Sequence, residues 1–172
     1  GGLGTSMGCS WPKSMIKVKD NLSFLEIILN NSNKINEKNK VNIPLIFMNS
    51  KNTDFQTKEV LGRQSNVYHF QQNYYPRLDE NLKPLKTKFN ENEMEYWYPP
   101  GHGDIYNALK SSDVWEELRK KGIEYLFISN SDNLGASFDE KILQYMSNNS
   151  VDFLMEVVQK TQADVKGGAL IE

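Results

Sequence analysis

The stretch GGLGTSMGCSWPKS, residues 1–14, indicates the fold more strongly than any other part of the chain. It gathers Gly1, Gly2, Gly4 and Gly8 ahead of a lysine, Lys13. Glycine costs backbone entropy on folding, so a chain tolerates several of them where the backbone turns tightly or approaches another group closely. A lysine just beyond such a loop indicates that the group is negatively charged.

Three kinds of nucleotide loop compete with a purely structural turn at this position. A Walker loop needs Gly, four residues and then Gly-Lys-Ser/Thr, whereas Lys13 here follows Trp11 and Pro12. A dinucleotide fingerprint needs an acidic residue at the end of the second strand, but the run IPLIFMNS ends in Asn49 and Ser50. There remain a different nucleotide loop, in which Lys13 reaches phosphates, and a structural turn.

Composition excludes several classes of protein. The 172 residues are 38% hydrophobic with a formal net charge of −2, which predicts one globular domain and no electrostatic attraction to nucleic acid. No apolar run approaches the roughly 20 residues needed to span a bilayer, so no membrane partner is expected. Cys9 is the single cysteine, which excludes an internal disulfide and favours a reducing, cytoplasmic compartment.

Strand and helix patterns alternate in the first half of the chain. The spacing predicts a helix over 22–29 capped by Asp20 or Asn21, an exposed connection over 30–40, and a strand over 43–48. A second helix begins at Thr53 or Asp54 and ends at Gly62, and a strand over 66–72 follows. The charged stretch 79–95 is predicted to be a loop.

The second half continues the same alternation. Helices are predicted over 104–110 and 113–121, a buried strand over 123–130, a helix over 137–149 with a Ser137–Glu140 capping box, and a strand over 151–160. Such alternation predicts an α/β fold with a largely parallel sheet, whose loops gather at the carboxyl ends of the strands.

Four polar residues in predicted loops or at the end of a predicted strand are candidates for binding. His102 lies between glycines, after Pro99-Pro100 and before a helix start, where a rigid loop and free N–H groups favour phosphate. Asp132 follows a predicted buried strand, where a carboxylate holds Mg²⁺ or merely forms an Asx turn. Gln72 carries an amide that matches the edge of uracil or caps a turn, and Lys166 is a weak candidate. His69 is interpreted as structural.

Seven segments occur together in a fixed order: GGLGTSMGC (1–9), PKS (12–14), MNSKNTD (48–54), YPR (75–77), WYPPGHGDIY (97–106), SNSDNLGA (129–136) and MEV with KT.ADVKGG (155–168). Together they resemble the eukaryotic UTP–glucose-1-phosphate uridylyltransferases, also called UDP-glucose pyrophosphorylases. The resemblance covers almost the whole chain. It implies a Rossmann-like nucleotide-diphospho-sugar transferase fold, with a mostly parallel sheet flanked by helices.

The resemblance also implies roles for individual residues. Lys13 would be catalytic, and Asp132 would bind Mg²⁺. Sugar-phosphate binding would fall to Gly1, Gly2, His102, Asn130 and Lys166. Nucleotide binding would fall to Gly1, Gly2, Leu3, Gly4, Thr5, Lys13, Gln72, Gly101, Asn130, Ser131 and Asp132.

The activity implied is the reaction of UTP with glucose 1-phosphate to give UDP-glucose and pyrophosphate, by in-line attack on the α-phosphate. Because the family's preceding strand, later sugar-binding motif and C-terminal domain are missing, residues 1–172 are expected to be a partial catalytic domain with little turnover. The full-length protein would be the active form, and a homo-oligomer is compatible with the resemblance. Trp11 stands where the family has glycine. The alternatives are a pyrophosphorylase for another sugar 1-phosphate and a non-catalytic nucleotide-binding module.

Overall fold

The structure, a computed structural model, describes residues 11–85 and 96–162. The strands in these ranges are β1 (Lys17–Lys19), β2 (Leu22–Ser23), β3 (Leu45–Asn49), β4 (Val67–Gln71), β5 (Tyr75–Pro76) and β6 (Trp97–Tyr98). The α-helices are α1 (Phe24–Asn39), α2 (Lys51–Leu61), α3 (Ile105–Lys110), α4 (Asp113–Lys120) and α5 (Glu140–Asn148). Short 3₁₀ turns lie at Lys13–Met15 and His102–Asp104.

Strands β3 and β4 form a parallel pair, in register from Leu45 opposite Val67 to Asn49 opposite Gln71. Helix α2 makes the crossover between them, as parallel strands require. Successive side chains of each strand point to opposite faces of the pair, and helices cover both faces. Phe47 packs with Leu25 of α1 and Leu61 of α2 on one face. On the other face, Phe70 lies in a cluster with residues of α3 and α4 (Ala108, Leu109, Val114 and Leu118).

This three-layer unit confirms the predicted α/β class, and the strands predicted at 43–48 and 66–72 are confirmed within one or two residues. The parallel sheet is narrower than predicted. Within the described ranges, β3 and β4 are the parallel pair, whereas β1 pairs with β2 and β5 with β6 in antiparallel ladders.

The strands predicted at 123–130 and 151–160 are wrong for the described residues, since both stretches lack regular secondary structure. A strand exists only where a neighbouring chain completes its hydrogen-bond ladder. Neither stretch pairs with another strand in the part of the chain that the structure describes. Their apolar side chains are accordingly exposed, for example Phe127 at 55% and Phe153 at 61%.

Helix α1 extends through residues 30–39, so the predicted exposed connection at 30–40 is wrong. The cap is Ser23, not Asp20 or Asn21. Its side chain accepts a hydrogen bond from the Glu26 amide, while the Glu26 carboxylate accepts one from the Ser23 amide at 2.8 Å. This reciprocal capping box fixes the first turn, and helix propagation then costs little per residue. The helix ends at Lys40, which adopts a left-handed conformation.

Two other caps differ from the predictions. Helix α2 begins after Ser50, whose amide donates to Thr53 Oγ1 at 2.9 Å, rather than at Thr53 or Asp54. It ends at Gly62 as predicted, with φ 64° and ψ −169°. Helix α5 is capped by Asp139, which accepts a hydrogen bond from the Lys141 amide at 2.7 Å, so the Ser137–Glu140 capping box is wrong.

The chain divides into two compact units, Gly1–Ala136 and Ser137–Glu172. A single partial catalytic domain over 1–172 therefore stays a prediction. Residues 79–85 form no helix, in agreement with the predicted loop, and 86–95 lie outside the described residues. No helix within the described ranges is both long enough and apolar enough to cross a membrane.

Candidate functional site

Lys13 is placed by a short 3₁₀ turn that begins after Pro12. The proline ring holds φ at −53°, and the Pro12 carbonyl accepts a hydrogen bond from the Met15 amide at 2.9 Å. The Lys13 Nζ atom then lies 2.5 Å from Oδ2 of Asp132. Trp11, the departure from the family pattern, is 64% exposed beside this turn. The sequence-predicted phosphate-binding lysine and metal-binding carboxylate are therefore in direct contact.

Asp132 lies in a tight turn in which the Asn133 amide donates to the Asn130 carbonyl at 3.1 Å. The hydrogen bond from Lys13 lowers the pKa of the Asp132 carboxyl, and it outweighs the partial burial that raises it. A hydrogen bond from its own main-chain amide and charge interactions with Lys13 and His102 lower the pKa further. Asp132 is thus an ionised carboxylate at neutral pH, and His102 is close enough to affect its charge.

The segment that carries His102 is shaped by the glycine before it. Gly101 adopts φ 115° and ψ −176°, a region of backbone conformation that is essentially restricted to glycine. The following residues, His102–Asp104, form a 3₁₀ turn that leads directly into α3. His102 itself is exposed. The turn therefore presents an imidazole to solvent on a stiff backbone, within electrostatic reach of Asp132.

A second set of contacts joins this turn to the segment after β4. The buried Asp104 carboxylate accepts two hydrogen bonds from Asn73, one from its main-chain amide at 2.7 Å and one from its side-chain amide at 2.8 Å. The neighbouring residue Gln72 is 5% exposed, and its main-chain amide donates to the Asn49 main-chain carbonyl at 2.8 Å. Gln72 is thus held at the carboxyl end of β3 and β4.

A polar cluster lies at the same end of the parallel pair. The Asn49 side-chain amide contacts Asp54 Oδ1 at 2.9 Å and His69 Nδ1 at 3.2 Å. Burial raises the pKa of Asp54, but hydrogen bonds from Lys58, Asn49 and Gln71 outweigh it and lower that pKa. Burial also lowers the pKa of His69, whose ring stacks on Phe47 with centroids 5.8 Å apart. His69 therefore packs within the sheet layer, as the structural interpretation expects.

These contacts connect the predicted site residues that the structure describes. Lys13 contacts Asp132, and a charge interaction with His102 lowers the pKa of Asp132. The His102 turn is hydrogen-bonded through Asp104 to the segment that carries Gln72. Asn130 and Ser131 belong to the Asp132 turn. The remaining predicted residues lie outside the described residues: Gly1, Gly2, Leu3, Gly4, Thr5 and Lys166.

Sequence reasoning missed Asp104 and Asn73. Asp104 occurs at a predicted helix start, where an aspartate ordinarily caps the helix, and nothing local indicates a distant partner. Its partner Asn73 is 31 residues away in the chain.

The chemistry of Asp132 fits a hard divalent cation. Mg²⁺ binds through one or two carboxylates together with phosphate oxygens rather than in an all-protein cage. An ionised carboxylate near Lys13 and His102 matches this requirement for one carboxylate. Within the described ranges, no three His, Cys, Asp or Glu side chains form a metal-binding group.

Comparisons with known proteins cover the whole chain. The family model described as UTP--glucose-1-phosphate uridylyltransferase matches residues 1–172. The UTP--glucose-1-phosphate uridylyltransferase of Encephalitozoon cuniculi (strain GB-M1) is 46% identical over 173 residues, which cover 100% of this chain and 35% of that protein. The chain thus spans about a third of the length of the curated relatives it matches.

Solved structures agree with this assignment. The crystal structure of UDP-glucose phosphorylase from Trypanosoma brucei is similar with a TM-score of 0.86 and 38% identity, covering 98% of this chain and 37% of that one. A mutant UDP-glucose pyrophosphorylase from Leishmania major in complex with UDP-glucose has a TM-score of 0.81 and 37% identity, covering 97% of this chain and 36% of that one. The α/β unit, the ordered motifs and the family match together show that the chain belongs to the UTP--glucose-1-phosphate uridylyltransferase family.

Proposed function

We propose that the intact protein is a uridylyltransferase that forms UDP-glucose and pyrophosphate from UTP and glucose 1-phosphate in the cytoplasm. The observation that carries the proposal is the contact between Lys13 and Asp132, with His102 within electrostatic reach of Asp132. Both substrates are polyanions, and such a reaction needs a cation, a hard metal ligand and hydrogen-bond donors at one place. Family membership supports this assignment.

The reaction requires little covalent chemistry from the protein. A phosphate oxygen of glucose 1-phosphate attacks the α-phosphorus of UTP, and the bond from that phosphorus to the bridging oxygen of the leaving pyrophosphate breaks. No side-chain nucleophile is needed, so the protein contributes position and charge. Lys13 would neutralise phosphate charge, and His102 and Asn130 would orient the sugar phosphate, as would Lys166.

Asp132 would hold Mg²⁺, which when bound supplies further neutralisation of phosphate charge. Gln72 and Gly101 would orient the uracil and ribose, and the backbone of Gly1–Thr5 would approach the nucleotide, together with Ser131. Gln72 lies at the carboxyl end of β3 and β4, held by the bond from its main-chain amide to Asn49. This position supports its role, since a residue on a rigid element orients a ligand better than a mobile one.

Pyrophosphate release from UTP and glucose 1-phosphate tests the proposal on the intact protein. We expect turnover that depends on Mg²⁺, and we expect Asp132→Ala to abolish that metal-dependent rate. Lys13→Ala should weaken UTP binding by about tenfold or more, because a charge-assisted phosphate contact is lost. Lys17→Ala is the matched control, since Lys17 is a similarly exposed lysine that pairs with Glu26 at 2.7 Å instead of with Asp132.

Rates with glucose, galactose and N-acetylglucosamine 1-phosphates measured side by side identify the sugar. A higher rate with another sugar 1-phosphate would overturn the substrate assignment. Binding of UTP without any turnover would instead indicate a non-catalytic nucleotide-binding module. Equal losses of UTP affinity in the Lys13 and Lys17 variants would contradict the role of Lys13.

A further inference from the structure

We propose that Asp104 is a positioning residue that ties the His102 turn to the Gln72 segment. The roles assigned to His102 and Gln72 rest on the function proposed above. Through Asn73, Asp104 would keep the part of the site that orients the sugar phosphate at a fixed distance from the part that orients the nucleotide. Asp104 itself would touch neither substrate.

The geometry of the contact is specific. Both carboxylate oxygens of Asp104 are used, Oδ2 by the main-chain amide of Asn73 at 2.7 Å and Oδ1 by its side-chain amide at 2.8 Å. Two hydrogen bonds to one buried anion restrict rotation as well as distance, and each is stronger than a bond between neutral groups. Asp104 is 8% exposed, so water does not easily replace these donors.

Asp104 is not explained as an ordinary helix cap. It occupies the N-cap position of α3, yet its side chain makes no capping hydrogen bond. Its carboxylate is directed instead to a residue 31 positions earlier. The chain thus gives up a local stabilising contact for a long-range one between two candidate ligand-binding segments.

The two segments differ in their other supports. The main-chain amide of Gln72 donates to the main-chain carbonyl of Asn49 in β3 at 2.8 Å, and Gln72 is buried. The His102 turn is supported by its own 3.2 Å bond from the Asp104 amide to the Gly101 carbonyl and by the packing of α3. Loss of the Asp104 carboxylate should therefore displace His102 more than Gln72, so that sugar-phosphate binding suffers more than UTP binding.

Substitutions at these two positions separate positioning from charge. We expect Asp104→Ala to raise KM for glucose 1-phosphate by about tenfold or more and KM for UTP by less than about threefold. Simple electrostatics predicts the opposite sign, since removing a negative charge should improve the binding of an anion. Asp104→Asn should have KM values close to those of wild type. The side-chain amide of Asn73 can rotate by half a turn, so that both hydrogen bonds remain as bonds between neutral groups.

The reciprocal exchange provides the second test. Asn73→Asp alone places a second carboxylate against that of Asp104. It should therefore raise KM for glucose 1-phosphate, as Asp104→Ala does. The double variant Asn73→Asp/Asp104→Asn restores complementary donors and acceptors with the wild-type net charge. We expect it to recover KM for glucose 1-phosphate to within about threefold of wild type. Failure of this recovery, or equal changes in both KM values, would overturn the positioning role.

Hydrogen exchange keeps this inference distinct from the proposed function. In Asp104→Ala the Asn73 amide and the amides of 102–104 should exchange faster than in wild type, whereas those of β3 should not. If the wild-type protein shows no turnover but this exchange pattern appears, the proposed function fails and the structural link stands. If turnover is present and these amides are unaffected, the link itself is wrong.

Discussion

Gly101 has a backbone conformation that other residues rarely adopt, with φ 115° and ψ −176°. A Cβ atom added there would meet nothing within 4 Å, so the constraint is conformational and not steric. Holding a non-glycine residue in this region costs about 1–3 kcal/mol. The turn that presents His102 therefore depends on this glycine for its path.

We predict that Gly101→Ala weakens UTP binding by about tenfold in the intact protein, measured by titration calorimetry, because Gly101 itself is proposed to orient the uracil and ribose and its backbone would be displaced. Gly103→Ala is the matched control, because Gly103 lies two residues away, lacks a left-handed φ and also has open space where a Cβ atom would lie. Its affinity should change by less than about threefold. Similar losses in both variants would show that the turn tolerates no added methyl group, contrary to the conformational argument.

The Lys13–Asp132 ion pair is a second feature that depends on individual residues. Both side chains are partly exposed, 43% and 33%, and exposed ion pairs contribute little to stability because water and salt screen them. The pair therefore contributes little to the stability of the fold. Substitutions there should change affinity far more than stability.

Among the elements, α1 depends on the capping box at its start. Hydrogen bonds from Lys17 and from the side chain and main chain of Ser23 lower the pKa of Glu26 from 4.5 to about 2. Because the pKa is lower in the folded state, this contribution to stability is present above pH 4.5 and is lost as the pH falls toward about 2. A negative charge in the first turn also favours the helix dipole.

We predict that Glu26→Gln reduces the protection of the first-turn amides of α1 at about pH 6, measured by hydrogen exchange. The side-chain amide of glutamine still completes the capping box, so the difference reports the charge. The difference in protection between the variant and wild type should shrink below pH 4.5 and be nearly absent at about pH 2. Glu37→Gln, an exposed position in the last turn of the same helix, is the control. A difference that persists at low pH would contradict the role of the ionised carboxylate.

At the scale of the whole molecule, β3 and β4 form one layer between two sets of helices. Leu25 of α1 is 1% exposed on one face, and Leu118 of α4 is 2% exposed on the other. Because both faces share the same two strands, loss of packing on either face should loosen the same backbone.

We predict that Leu25→Ala and Leu118→Ala each destabilise this layer by about 2–5 kcal/mol. Each should speed hydrogen exchange of the β4 amides by at least about tenfold, measured in the intact protein. Val60→Ala, at a position of α2 that is 48% exposed, should change exchange by less than about threefold. If each core variant affected only the helices on its own face, the three layers would not be one cooperative unit.

Local residue patterns were sufficient for much of this molecule. Gly62 ends α2 because it adopts φ 64°, a conformation that glycine accommodates easily. This feature depends only on the local backbone, so the sequence predicts it. The apolar run Leu45–Asn49 also predicts a strand, and the strand forms because β4 pairs with it. The ordered motifs from residue 1 to residue 168 likewise identify the family. The roles of Lys13, His102 and Asp132 as site residues stay a prediction from that resemblance.

Other features depended on partners distant in the chain. The run 123–130 has the composition of a strand, but a strand needs a neighbour, and none pairs with it among the described residues. Asp104 has the position of a helix cap, but its carboxylate binds Asn73. Local composition therefore determined which chemical groups the chain carries and where a helix or strand is possible. Tertiary structure alone decided which hydrogen bonds join them, because those bonds form between residues that only folding brings together.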